Sequence, residues 1–309
     1  MEVHQSAFAS QSDFRAMEAL ACATRQNNLH VTDLPYRFSS FAPGDSDNIQ
    51  LWKDGAGHLL AWAALEIPHD SLDFVCLPEM ESNLLPQILA WADHRSREHP
   101  ELIPLGTPED GPCWFTKVFS DQAERIKMLE AVGFVCQADV GNYSLSTVFM
   151  QRPAETPIKE YRIPAGFVIR PLAGESELEA YVQLHRAAFG STAMNEAWRR
   201  RTLQHPAYIE DIDLVVVALD GRLGAFCVCW IESNKSEITG QIEPLGCHPD
   251  FRGYALGRLA LAEGLRRLHA HGCSQVFVET DHWRNTAFQL YESFGFRVCK
   301  DVLVYRKDY

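Results

Sequence analysis

The residues best placed to do chemistry lie near position 250, where an apolar run ends and a helical pattern begins. Residues 247–257 read Cys-His-Pro-Asp-Phe-Arg-Gly-Tyr-Ala-Leu-Gly. Pro249 and Asp250 end a predicted strand, and small residues open the helix that follows. The first turn of a helix has unpaired backbone N–H groups and the positive end of the helix dipole, and Arg252 and Arg258 add formal charge. The segment therefore predicts a pyrophosphate-binding site.

The apolar pattern predicts the elements that position this segment. An Asp-Gly pair at 220–221 between two apolar runs indicates a hairpin, and Gly272 and Gly295 end two helical patterns. Strands are expected over 167–171, 241–247, 275–279, 296–298 and 302–305, and helices over 175–189, 256–271 and 285–294. This order predicts an α/β fold with a mixed sheet and helices between its strands.

Two markers of this half recur in the first half of the chain. Asp54-Gly55 also lies between apolar runs, and Leu-Glu-Ala-Val-Gly-Phe at 129–134 parallels Tyr-Glu-Ser-Phe-Gly-Phe at 291–296. An offset of about 160 to 170 residues indicates a duplicated domain. We predict two copies of one α/β fold, with a domain over 1–150, a proline-punctuated linker over 151–165 and a domain over 166–309.

Composition narrows the classes of function. The 28 Lys and Arg against 41 Asp and Glu give a net charge of −13, which argues against a nucleic-acid binder because such proteins need a basic face. The amino terminus does not read as a signal peptide, and the chain has no apolar run of roughly 18 residues, so we expect a cytoplasmic protein without a membrane partner. The nine cysteines show no paired C-x-x-C spacing and predict buried, reduced thiols, with Cys227 and Cys229 on one strand face.

Residues 252–257 after His248-Pro249, together with Leu-Tyr-Glu-Ser-Phe-Gly-Phe at 290–296, resemble the GNAT superfamily of acyl-CoA N-acyltransferases. The family's loop pattern is [Q/R]-x-x-G-x-[G/A]. Arg252 and Gly257 match it, and Ala255 stands where the first glycine is usual. The resemblance covers roughly residues 165–309, in the size range of one domain, and implies acetyl-CoA as the co-substrate. The contacts it implies are Leu245, Gly246, Cys247, Arg252, Gly253, Tyr254, Ala255, Leu256, Gly257, Arg258 and Asn285.

The resemblance also implies catalytic roles. The pantetheine arm would pair with the strand at 245–247, and a backbone N–H near Cys247 would face the thioester oxygen. Tyr291 matches the family tyrosine that protonates the leaving CoA thiolate. A base is useful because an alkyl amine is mostly protonated at pH 7. Glu243 and Glu279, on neighbouring strands, are both candidates, although several members of the family carry a glutamate at the position of Gln241.

Other polar residues near the predicted site have structural alternatives. Either Arg284 or Asn285 could contact CoA by resemblance, and Asn285 could equally cap a helix. His269 and His271 are two residues apart on a predicted helix and so do not share a face. We interpret them and His282 as surface histidines and predict no metal site.

The first half lacks the signals of the second. Where the loop should lie, residues 77–85 read Leu-Pro-Glu-Met-Glu-Ser-Asn-Leu-Leu, and Leu129 stands in the place of Tyr291. The carboxylates of Glu79 and Glu81 would occupy an anion site at the helix start. We therefore interpret residues 1–150 as a degenerate copy that supplies packing or part of the substrate cleft, as in tandem-GNAT proteins, with Trp52, Trp62, Trp91 and Trp114 mostly in the core.

These features predict an N-acetyltransferase that moves an acetyl group directly from acetyl-CoA to a primary amine of a small molecule or peptide. A non-catalytic acyl-CoA sensor or scaffold is the alternative that Ala255 and the degenerate half favour. Protein acetylation is a third hypothesis, because an acidic surface attracts lysine-rich tails. The sequence leaves the amine and the oligomeric state open.

Overall fold

The computed structural model describes residues 2–40, 43–99, 112–138, 146–233, 237–281 and 285–309. The strands of the first half are β1 Val3–Ala7, β2 Ile49–Asp54, β3 Leu59–Glu66, β4 Ser71–Cys76, β5 Cys113–Phe119, β6 Val135–Cys136 and β7 Ser146–Pro153. Its helices are α1 Gln11–Ala23, α2 Leu34–Ser39, α3 Glu81–Glu98 and α4 Ala123–Ala131.

The second half repeats this order of elements. Its strands are β8 Phe167–Pro171, β9 Asp213–Ala218, β10 Leu223–Ser233, β11 Ile238–Cys247, β12 Gln275–Asp281 and β13 Arg297–Asp308. Its helices are α5 Leu178–Phe189, α6 Glu196–Gln204, α7 Leu256–Ala270 and α8 Asn285–Ser293. Apart from the short β6, each half runs strand, two helices, three strands, helix, strand, helix, strand. The predicted duplication of one α/β fold is confirmed.

One mixed sheet runs through both halves. Its strand order is β1-β2-β3-β4-β5-β13-β7-β12-β11-β10-β9-β8, with β6 paired to β13. The last strand of each half lies in the other half: β7 pairs with β12, and β13 pairs with β5. The two exchanged strands also pair with each other. The sheet is therefore continuous between the two halves. Strand β7 includes the first three residues of the range predicted as a linker, 151–165.

Most predicted elements are confirmed, with shifted ends. The Asp-Gly turns close the β2–β3 and β9–β10 hairpins, and Gly272 and Gly295 follow α7 and α8 with left-handed φ angles of 84° and 87°. The prediction of two short strands after position 295 is wrong. Both segments belong to the single strand β13. A register shift between Val298 and Lys300 accommodates the polar residues that separate the two apolar segments.

The core lies on both faces of the sheet. Helices α7 and α8 pack on one face of the second half, with Ile242, Val276 and Val278 buried beneath them. Cys227 and Cys229 share that face, with sulfurs 3.8 Å apart, and all nine cysteines are free thiols. Trp52, Trp62 and Trp114 are buried as predicted, and Trp91 packs edge-on against Trp52. Of the described helices, none is both long and apolar enough to cross a membrane.

Candidate functional site

The loop between β11 and α7 has an exposed backbone. Pro249–Phe251 form a single helical turn, and the four residues that follow, 252–255, are exposed. Gly253 and Ala255 both have positive φ, 90° and 59°. A Cβ built on Gly253 or on Gly257 would meet nothing within 4 Å. The loop therefore fits a bulky anion at the start of α7, whose first N–H groups have no partner within the helix.

Some side chains of the segment 251–258 are buried in the core, and others lie at the surface. Phe251 and Leu256 are buried in the core, so Leu256 offers only its backbone to a ligand. Arg258 donates to the Ser293 hydroxyl at 2.9 Å, which ties the start of α7 to the end of α8. The exposed Tyr254 ring lies 5.5 Å from the ring of Phe167. Ala255 occupies a backbone conformation that disfavours any residue with a Cβ, which explains why a glycine is usual there.

Strands β11 and β12 part below this loop. They pair in parallel from Thr239↔Gln275 to Gln241↔Phe277, and then diverge although β11 continues to Cys247 and β12 to Asp281. Leu245, Gly246 and Cys247 pair with β10 on the other edge of β11. We call the opening between β11 and β12 the carboxyl-terminal wedge. It leaves one edge of β11 open to an extended ligand.

The first half of the chain covers part of the sheet face opposite α7 and α8, next to α5 and α6. Arg25 forms an ion pair with Glu232 of β10 and donates to the Thr239 hydroxyl of β11 at 2.9 Å. Farther along, the Trp198 indole donates to the Tyr36 carbonyl at 3.4 Å. The segment from Arg25 to α2 therefore packs on this face beside the wedge, and a role of the first half in a substrate cleft stays a prediction.

Glu279 lies on β12 and is firmly held as an anion. Its carboxylate accepts a hydrogen bond from Lys117 of β5 at 2.5 Å and from the Thr147 hydroxyl of β7 at 2.7 Å. Although burial opposes the charged form, these contacts lower the pKa of Glu279 to about 2. A carboxylate with so low a pKa is a weak base.

Glu243 lies on β11, two residues beyond the last pair with β12, and has the opposite environment. Desolvation, with the negative charges of Asp33 and Glu279 adding to it, raises the pKa of Glu243 to about 8. Arg37 and Lys117 act against this rise. A base that titrates near neutral pH is suited to accept a proton from an amine.

A polar cavity of about 360 Å³ lies where β12 ends, between the two halves. Arg37 of α2 enters it and pairs with Asp73 and Glu66 at 2.6 and 2.8 Å. Lys117 and Asp281 also line it. Sequence reasoning missed Asp33, Arg37 and Lys117. A lysine inside the apolar strand Cys113–Phe119 was a usable signal, whereas the places of Asp33 and Arg37 depend on how the halves pack.

Tyr291 lies on α8 and is only 6% exposed. Its ring packs edge-on against Phe296, with centroids 5.6 Å apart. Asn285 is the first residue of α8, and its side chain, with Arg284 and His282, lies outside what the structure describes. The catalytic role of Tyr291 stays a prediction.

The first half contains an equivalent opening, which we call the amino-terminal wedge. Strands β4 and β5 pair in parallel only at Ser71↔Phe115. The space between them holds residues 27–30 of the same chain, and the cavity left there is about 30 Å³, enough for water alone. Gln122 and Arg125 donate to the Asn27 carbonyl at 3.0 and 3.1 Å and fix this segment.

The start of α3, where the first half should carry its anion site, is acidic. Glu81, the first residue of α3, accepts a hydrogen bond from Arg125 at 2.6 Å, and Arg125 is 5% exposed. Arg125 also donates to the Asn27 carbonyl, so this ion pair helps to hold residues 27–30. The Glu81 carboxylate therefore bonds Arg125, and the blocking of an anion site by Glu79 and Glu81 stays a prediction.

His271 pairs with Asp211 at 3.2 Å and His269 is exposed, so both are surface histidines. Within the described residues, no group of three or more His, Cys, Asp or Glu is arranged to hold a metal ion.

Known proteins resemble this chain in sequence and in fold. Residues 178–296 match the model of the acetyltransferase (GNAT) family. The mycothiol acetyltransferase of Thermobispora bispora is 26% identical over 51% of this chain and 56% of its own length, so the chain spans about half the length of the curated relatives it matches.

Two solved structures resemble nearly the whole chain. One is a GCN5-related N-acetyltransferase from Sphaerobacter thermophilus, with a TM-score of 0.67 at 17% identity, covering 99% of this chain and 95% of that one. The other is a tandem GNAT protein from the clavulanic acid biosynthesis pathway, with a TM-score of 0.68 at 13% identity, covering 99% and 98%. The chain therefore has the tandem GNAT fold, and its residues 178–296 match the acetyltransferase (GNAT) family.

Proposed function

We propose that this protein transfers an acetyl group from acetyl-CoA to a primary amine, and that its second half alone performs the reaction. The observation that carries the proposal is the position of Glu243, which lies on the open stretch of β11 and has a pKa raised to about 8. The family match over residues 178–296 and the relatives named as acetyltransferases support it. The domain boundaries at 150 and 166 remain part of the proposal.

In this proposal the loop and strand hold acetyl-CoA. The backbone of residues 252–257 and the start of α7 take the pyrophosphate, with Arg252 supplying charge. The open edge of β11 at Leu245 and Cys247 pairs with the pantetheine arm. Acetyl-CoA supplies a thioester whose carbonyl carbon accepts a nucleophile.

Glu243 and Tyr291 then each transfer one proton. Glu243 takes a proton from the amine, whose nitrogen forms a bond to the thioester carbon. The C–S bond breaks, and Tyr291 gives its hydroxyl proton to the departing thiolate. Glu279 stays paired with Lys117 and fixes β12 to the first half. Of the two carboxylates, Glu243 is therefore the base we propose.

The test measures two quantities on the full chain: release of free CoA thiol across a panel of primary amines, and the binding of acetyl-CoA by calorimetry. We expect both binding and release. Binding without release for any amine would favour the acyl-CoA sensor. Lysine-rich peptides in the same panel test the hypothesis of protein acetylation.

A further inference from the structure

A second cavity, of about 190 Å³, lies between the two halves beside the carboxyl-terminal wedge. Apolar side chains from both halves form much of its wall, and polar side chains, among them Arg25 and Lys300, complete it; the apolar ones include Leu29, Val31, Phe119, Phe149 and Phe277. The Phe149 and Phe277 rings stack with centroids 5.2 Å apart and planes 1° apart. An apolar cavity of about 150 Å³ is large enough to bind benzene, so this one has room for an aromatic ring.

The cavity reaches the point where the two strands part. Gln241 and Phe277 both line it, and they are the last paired residues of β11 and β12. Glu243 follows Gln241 by two residues on the same strand face, about 7 Å farther along. A side group in the cavity would therefore place an attached amine beside Glu243 and the wedge.

We propose that this cavity binds the side group of the acceptor and that the acceptor is an arylalkylamine. The inference rests on the proposed function for the fate of the amine, and on the cavity itself for binding. The apolar walls from both halves enclose the ring. A polyhydroxylated amine would instead suit the polar cavity around Arg37 and Asp73.

The test measures binding of three amines to the full chain by calorimetry, with and without acetyl-CoA: tyramine, phenethylamine and glucosamine. Burying a ring predicts that phenethylamine binds roughly tenfold to a hundredfold more tightly than glucosamine. Tyramine has the same ring and chain with one added hydroxyl, and it should also bind more tightly than glucosamine. Equal or tighter binding of glucosamine would overturn the proposal.

Two substitutions locate the binding. Val31→Phe fills the cavity and is expected to weaken phenethylamine binding at least tenfold, whereas Val168→Phe, at a residue that is 55% exposed, is expected to leave it unchanged. If both aromatic amines bind to Val31→Phe as they do to the native chain, the site is wrong.

The readouts also separate this proposal from the function on which it rests. Aromatic amines that bind but release no CoA thiol would leave the cavity assignment standing and contradict the acetyltransferase. Thiol release with glucosamine and not with tyramine would contradict the cavity assignment and leave the proposed acetyltransferase activity standing.

Discussion

At the scale of single residues, the surroundings shift the pKa values of two carboxylates on neighbouring strands in opposite directions. Glu279 meets a lysine and a threonine and stays ionised, while Glu243 is desolvated beside other acids. The sequence offered both as candidate bases, since each is a glutamate in a strand. What separates them is Lys117, which comes from the other half of the chain.

The first prediction compares the two glutamates. Glu243→Gln should lower kcat/KM by about 10²-fold or more, because general base catalysis typically contributes 10²–10⁴-fold. Glu279→Gln, the matched control, should lower the melting temperature more than the rate, since it leaves Lys117 buried without its partner. Steady-state rates and thermal unfolding of both variants check this. Equal rate losses with equal stability would contradict the assignment.

Asp33 provides a second prediction. Its negative charge helps to raise the pKa of Glu243, so Asp33→Asn should lower that pKa by an amount on the order of one unit. Glu243 would then lose its proton at lower pH, and the rise of kcat/KM with pH should move to lower pH. A pH profile of the variant that coincides with that of the native protein would show that Asp33 does not act on Glu243.

Ala255 supports a third prediction. In the left-handed region an alanine costs about 1 kcal/mol or more relative to glycine, partly offset by the greater freedom of glycine in the unfolded chain. Ala255→Gly should therefore leave stability unchanged or slightly raised and bind acetyl-CoA more tightly, because the methyl group leaves the phosphate path. Gly253→Ala, which introduces the same strain at a φ of 90°, should do the opposite. Calorimetric titration of both variants measures the difference.

At the scale of elements, the two wedges show how one fold yields one occupied and one open site. Residues 27–30 fill the amino-terminal wedge, and the following residues wall the cavity beside the carboxyl-terminal wedge. One segment thus closes the first site and shapes the second. The composition of residues 77–85 indicated the loss of an anion site, but the filling of the wedge could not be predicted because it depends on contacts far apart in the chain.

This arrangement predicts one acetyl-CoA per chain. Titration or native mass spectrometry should give a stoichiometry of one, and a second equivalent would show that residues 27–30 move aside.

Gln122→Ala removes one hydrogen bond that holds residues 27–30. It should raise KM for the amine while leaving acetyl-CoA affinity unchanged. Glu124→Ala, at an exposed position on the same helix, serves as the control.

At the scale of the whole molecule, the exchange of β7 and β13 joins the halves into one sheet. Periodicity predicted the strands around the site and the α7 and α8 helices, because their patterns and glycine ends are local signals. It could not predict the exchange, since a terminal strand has the same alternation whether it pairs within its own half or in the other. The single β13 was missed for a related reason: pairing on both edges overrides its polar interruption.

The shared sheet predicts one cooperative unfolding transition for both halves. Met150→Ala in β7, a fully buried position between β12 and β13, should destabilise the protein by about 2–5 kcal/mol. Hydrogen exchange should report the loss in both halves. Val168→Ala, at an exposed position, should change stability by less than about 0.5 kcal/mol. Two separate transitions would show that the halves unfold independently.

Acetyl transfer by this protein, as proposed, requires Glu243 to act as a base toward a bound amine. The most direct measurement is the rate of CoA thiol release from acetyl-CoA and a primary amine between pH 6 and 9, for the native protein and for Glu243→Gln. A base must be deprotonated to act, so with a pKa raised to about 8 the native kcat/KM should rise with pH through an inflection near pH 8, and the variant should lose both the inflection and most of the rate. A native rate that shows no such inflection, or a variant as fast as the native protein, would contradict the account.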